Sequence, residues 1–271
     1  MDFPTTHIEN LEMSRLIIGT NWFLGYSHYS KAKSDWIKSY MTPERIAEIM
    51  CAFARQGVNA VMSMPNQIMK DAIHTVKGET GVDIHWICTP SGEAVDDLLP
   101  GIEQSAEVGA AICMPHQHWT DGNMIVNQKR IIGLEKVTAR IRELGMIPGL
   151  STHRPETVVL CDKAGYDVAT YLQLSNAIGF LCQVETDWIA KVINNTRKPI
   201  ICIKPLAAGR ILPTVGLSFV YNSIKPTDTV CIGTMSIAEA EDDIRIAREL
   251  LARGAMQDRE LTYSRSKKAL T

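Results

Sequence analysis

The stretch Ala110-Ala-Ile-Cys-Met-Pro-His-Gln-His118 decides how this chain folds. A short apolar run ends abruptly in two histidines, and Trp119-Thr-Asp-Gly122 follows as a polar loop. That pattern suits a strand buried on both faces whose C-terminal end opens into a loop. Seven other segments share it: Leu16–Thr20, Ala60–Met64, Asp83–Thr89, Ile147–Ser151, Thr170–Leu174, Ile200–Lys204 and Thr229–Ile232. Helical patterns lie between them. Thr42 and Pro43 open the first as N-cap and first-turn residue, and Gly57 sits at its far end. Gln128 to Leu144 is amphipathic and stops at Gly145. Ile237 to Leu251 is acidic early, basic late, and stops at Gly254, in the sense of the helix dipole.

Eight strand–helix alternations predict an α/β chain folded as a single (β/α)8 TIM barrel, because right-handed βαβ units all curl the same way. The alternative is an open doubly wound sheet with a glycine-rich first turn. The first turn here, Gly19-Thr-Asn-Trp-Phe-Leu-Gly25, does not have that spacing. One domain is expected over 1–271, with 1–14 as an N-terminal extension and 255–271 as a polar tail carrying Arg265, Lys267 and Lys268.

The chain has 271 residues, 45% of them hydrophobic, which is enough for one barrel core. A formal charge of −2 gives no electrostatic case for nucleic acid or an acidic membrane. Met1 to Glu12 lacks the basic-then-apolar order of a signal peptide, and no apolar run approaches the ~20 residues of a membrane span. Seven cysteines, scattered and without a CxxC pair, read as reduced thiols of a cytoplasmic protein. The expected partner is a small molecule, with a homo-oligomer left open.

In a barrel, chemistry sits where strands end. Strand one ends before Asn21, Trp22, Tyr26 and His28, an amide, two aromatics and an imidazole suited to closing over a polar ring. They also suit a lid packed on itself. Strand two offers Asn66. His85, inside strand three, reads as a structural histidine, and His7 and His74 as surface residues. Strand four gives His116 and His118, and strand five gives Ser151, His153 and Arg154. Adjacent strands lie about 5 Å apart. His116, His118 and His153 can therefore transfer protons or form a three-histidine site for zinc or manganese with room for water. The nearest acid is Asp121. Strand six ends in Gln173 and Asn176, either ligand contacts or loop supports. Strand seven ends in Lys204, followed by Arg210. Lys204 can bind an anion, polarise a carbonyl, form a Schiff base or sit in a structural ion pair. Strand eight ends in Gly233, Thr234 and Ser236, a phosphate-binding helix start or simply an N-cap.

Four pieces in order resemble the aldo-keto reductases over roughly Ala110 to Leu251. They are Gly145-Met-Ile-Pro-Gly-Leu-Ser151, Tyr171-Leu-Gln-Leu-Ser-Asn176, Lys204-Pro-Leu-Ala-Ala-Gly209 and Ile232-Gly-Thr-Met-Ser236. The resemblance implies a (β/α)8 barrel that binds NADPH and reduces carbonyls with Asp, Tyr, Lys and His. Here Met62 stands where the Asp belongs, and the Tyr position falls near Gln67. No lysine occurs between Lys77 and Lys129; only His116 has a counterpart. For the cofactor, the resemblance assigns Ser151 and Gln173 to the nicotinamide carboxamide. Ile203 stands at the stacking aromatic. Glu239, Glu241 and Asp242 lie where NADP-binding members place a basic residue. The expected function is therefore an enzyme of isomerase, lyase or hydrolase type acting on a small sugar-like or carboxylated substrate. Its acid–base groups or metal ligands are the histidines, and Lys204 and Arg154 hold negative charge. The alternatives are an NAD(P)H-dependent carbonyl oxidoreductase with an atypical site, and a non-catalytic binding protein derived from a reductase.

Overall fold

The computed structural model describes residues 3–253. Eight parallel strands close into a barrel in sequence order. They are β1 (Leu16–Gly19), β2 (Ala60–Ser63), β3 (His85–Cys88), β4 (Ile112–Cys113), β5 (Ile147–Ser151), β6 (Thr170–Leu174), β7 (Ile200–Ile203) and β8 (Thr229–Ile232). Closure comes from β8 pairing with β1, Val230 opposite Leu16 and Ile232 opposite Ile18. Every expected strand is present, three of them with the expected ends. The expected reduced cysteines are also found: all seven are unpaired.

Alternation along the strands builds two cores. One set of side chains, including Ile17, Met62, Ile87, Ile112, Leu172 and Ile201, fills the barrel axis. The other set, including Ile18, Val61, Trp86, Leu150, Tyr171 and Cys202, packs outward against the helices. Residues 5–14, expected as part of a plain extension, form an antiparallel hairpin, Thr5–Ile8 with Leu11–Ser14. Its Ile8 and Met13 are fully buried in the axial core and plug the bottom of the barrel. His85 starts β3, so it lies at this lower end and not inside the strand or near the mouth.

Other expectations need correction. The amphipathic run from Gln128 is not one helix. Met124–Ile125 and Arg130–Ile131 pair as a short ladder, and the helix spans only Leu134–Glu143. Gly133 causes the break: its φ is +72°, and a Cβ there would sit 2.2 Å from Val95 Cγ2. A helix at Lys31–Tyr40 (α1) has no sequence counterpart because only Ile37 is buried on it, leaving no apolar stripe to read. The second helix, Pro43–Arg55 (α2), starts as expected, with Thr42 accepting from Arg45 N. Trp119-Thr-Asp-Gly122 is not a polar loop. It belongs to a short helix, Gln117–Gly122, with Trp119 and Thr120 buried. The last helix spans Ile237–Ala252. Its expected stop at Gly254 and the tail from 255 lie outside the described residues. Among the described residues, no helix is long and apolar enough to cross a membrane.

Candidate active site

The C-terminal ends of the strands surround a cavity of about 800 Å³. Ten of the expected site residues line it: Asn21, Trp22, Tyr26, His28, His116, Ser151, His153, Lys204, Arg210 and Gly233.

The loops after β1 and β7 meet here. Lys204 Nζ lies 2.8 Å from His28 Nε2, and Asn21 Nδ2 lies 3.2 Å from the same nitrogen. An amide NH2 and an ammonium only donate, so Nε2 accepts and the imidazole proton sits on Nδ1. Burial, then the charges of Lys204 and Arg210, lower His28 to about 4. Burial lowers Lys204 from 10.5 to about 8. Among the described residues, no ion pair is formed between Lys204 and a carboxylate. Lys198 and Lys225, also largely buried, lie 3.4 Å from Asp162 and 2.9 Å from Asp228.

The backbone that presents this pair is unusual. His28 (φ +52°), Lys204 (+59°), Ala207 (+50°) and Ala208 (+56°) are all left-handed without being glycine. Each such residue costs on the order of 1 kcal/mol unless its surroundings enforce it. Arg210 supplies part of that enforcement. Its guanidinium donates to Ala207 O (3.0 Å) and His28 O (3.1 Å), and lies 4.1 Å from the Phe180 ring centre. It thereby ties the loops after β1, β6 and β7. Gly216 allows the next helix to press on the same turn, since a Cβ there would come within 2.5 Å of Pro205 O.

His116 and His153 come from the opposite side of the mouth, after β4 and β5. His116 caps the short helix: its Nδ1 accepts from His118 N at 3.3 Å, which leaves the proton on Nε2. Burial, then His118 and Lys204, lower its pKa. His153 is lowered to about 4, by burial first and then by Lys204, His116 and His28. Asp121 holds the His153 segment in place. One carboxylate oxygen accepts from His153 N at 3.0 Å and the other accepts from Thr152 Oγ1. The acid noted beside the histidines thus acts as a bracket for the β5 loop.

The three-histidine metal set does not assemble. His118 is exposed and does not line the cavity. Two histidines two residues apart share a face on a strand, but a helix begins at Gln117 and turns the second about 200° away. Among the described residues, no three His, Cys, Asp or Glu side chains are placed to hold a metal ion. His118→Ala should therefore leave turnover within about twofold, while His153→Ala costs more than about tenfold. Equal losses in a steady-state assay would restore the metal set.

Six more expected residues lie off the cavity. Asn66 caps its helix, accepting from Met69 N. Arg154 pairs with Glu156 at 2.7 Å. Asn176 is spent on Phe180, with its Oδ1 accepting from N and its Nδ2 donating to O. Ser236 is an N-cap, accepting from Glu239 N. Thr234 is buried with its hydroxyl unbonded. Gln173 is fully buried, and neither amide atom has a partner. Leu172 faces the cavity, so strand alternation turns Gln173 the other way.

These positions test the fit of NADP. Gln173, expected to hold the carboxamide, is not among the residues lining the cavity. At the far end of the cavity stand Glu239, Asp242 and Asp243, and burial raises Asp243 to about 7. A 2′-phosphate beside these carboxylates is repelled. The Trp22 indole lies against both Gly209 and Gly233, 3.0 Å from where a Cβ of Gly233 would stand. The 2′-phosphate of NADP is ill-matched to these carboxylates.

No family model matches the chain, and neither does any curated protein sequence. Solved structures do. Two structures described as candidate aldo-keto reductases from Pseudomonas aeruginosa align with TM-scores of 0.67 and 0.68 at 14% identity. Both alignments cover 92% of this chain and 94% of theirs. The glycerol dehydrogenase of Gluconobacter oxydans aligns at 0.60 and 12% identity, covering 96% and 98% of the two chains. At such identities the likeness concerns architecture, and the chain has the aldo-keto-reductase-like (β/α)8 fold.

Proposed function

We propose that this chain is an enzyme that moves a proton at a carbon beside a carbonyl of a small polar substrate, as an isomerase or lyase does. The observation that carries the reading is the 2.8 Å contact of Lys204 Nζ with His28 Nε2 in a cavity where, among the described residues, no carboxylate pairs with the lysine. A carbonyl oxygen beside Lys204 meets a cation whose charge nothing else neutralises. Negative charge that develops on that oxygen is stabilised there more than in water. His28 and His153, both lowered to about 4, are neutral bases at pH 7 and available to take the carbon-bound proton. Arg210 at the rim adds positive charge for a carboxylated substrate.

Solvent exchange tests this. Incubation in D2O with a panel of aldoses, ketoses and 2-oxo acids should place deuterium beside the carbonyl of at least one compound, read by NMR. His28→Gln should slow that exchange about 10²-fold. Absence of exchange across the panel contradicts the reading.

A second reading, carbonyl reduction with NADH, is favoured by one observation. The cavity lining includes Glu239 and Asp242, and carboxylates suit ribose hydroxyls as they do not suit a phosphate. Saturable quenching or enhancement of NADH fluorescence at micromolar concentration would support it.

A further inference from the structure

We infer that Lys204 is an imine-forming lysine that holds a carbonyl substrate covalently, with His28 relaying the protons. The inference deepens the proton-transfer reading and rests on it.

Three features single out this amine. It lines the cavity, whereas Lys198 and Lys225 are committed to carboxylates. A carboxylate stabilises the charge of the ammonium it pairs with; Lys204 has only the neutral imidazole nitrogen of His28 beside it. The amine is also fixed in place. Its residue is left-handed, Arg210 ties the turn behind it to the His28 loop, and Gly216 lets a helix close against that turn. Burial lowers the amine to about 8, so about a tenth of it is free base at pH 7, far more than for a surface lysine.

The protons balance. Lys204 loses one proton to water, and its lone pair forms the C–N bond as the carbonyl π pair moves to oxygen. That oxygen takes up a proton from water through His28, giving a protonated carbinolamine. His28 then takes a second proton from nitrogen and passes it to the hydroxyl. Water leaves as the nitrogen lone pair forms the C=N bond. An ammonium and a carbonyl have become an iminium and water, with no oxidant or reductant. The iminium withdraws electrons from the neighbouring carbon, which then loses its proton to a neutral imidazole to give an enamine. No separate metal or oxyanion site is needed for that step.

Reductive trapping reads this directly. The full chain is incubated with glyoxylate, pyruvate or glyceraldehyde and sodium cyanoborohydride, followed by intact mass and peptide mapping. One adduct per chain is expected, on Lys204, formed at least about tenfold faster than on any other lysine. Its rate should rise about tenfold per pH unit up to pH 8 and level off above. Lys204→Met should remove it and His28→Gln should slow it. Equal labelling of surface lysines, or an unlabelled Lys204 with all three probes, overturns the inference. The proton-transfer reading fails separately. If Lys204 stays unlabelled but deuterium exchange still vanishes in Lys204→Met, the imine falls and proton transfer stands. Labelling of Lys204 without any exchange upholds the imine and overturns proton transfer.

Discussion

Lys204→Met is expected to lower exchange activity by about 10³-fold or more while making the protein more stable. The two effects share one cause. A partly buried cation with no carboxylate partner among the described residues is held at a cost, and burial lowers its pKa from 10.5 to about 8. Below pH 8 the lysine is protonated whether folded or unfolded, and the whole cost is present. Between pH 8 and 10.5 the folded state releases its proton first, so the wild type gains stability as pH rises. Met fills similar volume without charge and removes the cost. At pH 7 the variant should be more stable by about 1–3 kcal/mol, and the difference should shrink toward pH 10. Urea unfolding at both pH values measures this. A variant less stable than wild type at pH 7 would show that Lys204 is a structural residue.

Asp228→Ala should produce the largest loss of stability, about 3–5 kcal/mol. Asp228 is fully buried below the barrel, at the opposite end of β7 from Lys204. Its carboxylate accepts from Ile200 N (2.9 Å), Lys225 N (2.7 Å) and Lys225 Nζ (2.9 Å). Burial raises its pKa while Lys225 opposes the rise. Truncation leaves two backbone donors and an ammonium without their acceptor in a dry site, which is the costly way to break such a pair. Against a typical total of ~5–15 kcal/mol, that approaches global unfolding at moderate temperature. Asp228→Asn keeps acceptor and donor capacity and should lose less. A thermal or urea midpoint for Asp228→Ala within about 1 kcal/mol of wild type would contradict the role given to this carboxylate.

The barrel was legible in the sequence because parallel strands buried on both faces leave uninterrupted apolar runs, as in Ile200–Ile203 and Thr229–Ile232. The same rule explains what was missed. Helix α1 buries only Ile37, and the N-terminal hairpin buries only alternate residues of two four-residue strands. Neither leaves a long pattern. Site residues were found by position, since strand ends point to the mouth whatever their chemistry. Position did not give side-chain direction. Gln173, one residue from cavity-lining Leu172, faces the helices. His118 is turned out by a helix start that a polar-looking Trp119-Thr-Asp-Gly122 concealed. The Lys204–His28 contact joins residues 176 positions apart and has no local signature.

The amine of Lys204 is the centre of both the proposed reaction and the proposed covalent step, and its titration can be followed without a substrate. In protein labelled with ¹³C at lysine Cε, the Lys204 signal, assigned by its loss in Lys204→Met, should titrate with a midpoint near 8. Surface lysines should titrate near their ordinary ~10.4. A Lys204 midpoint at or above 10 would mean an ordinary, solvated or paired ammonium, and would contradict the account.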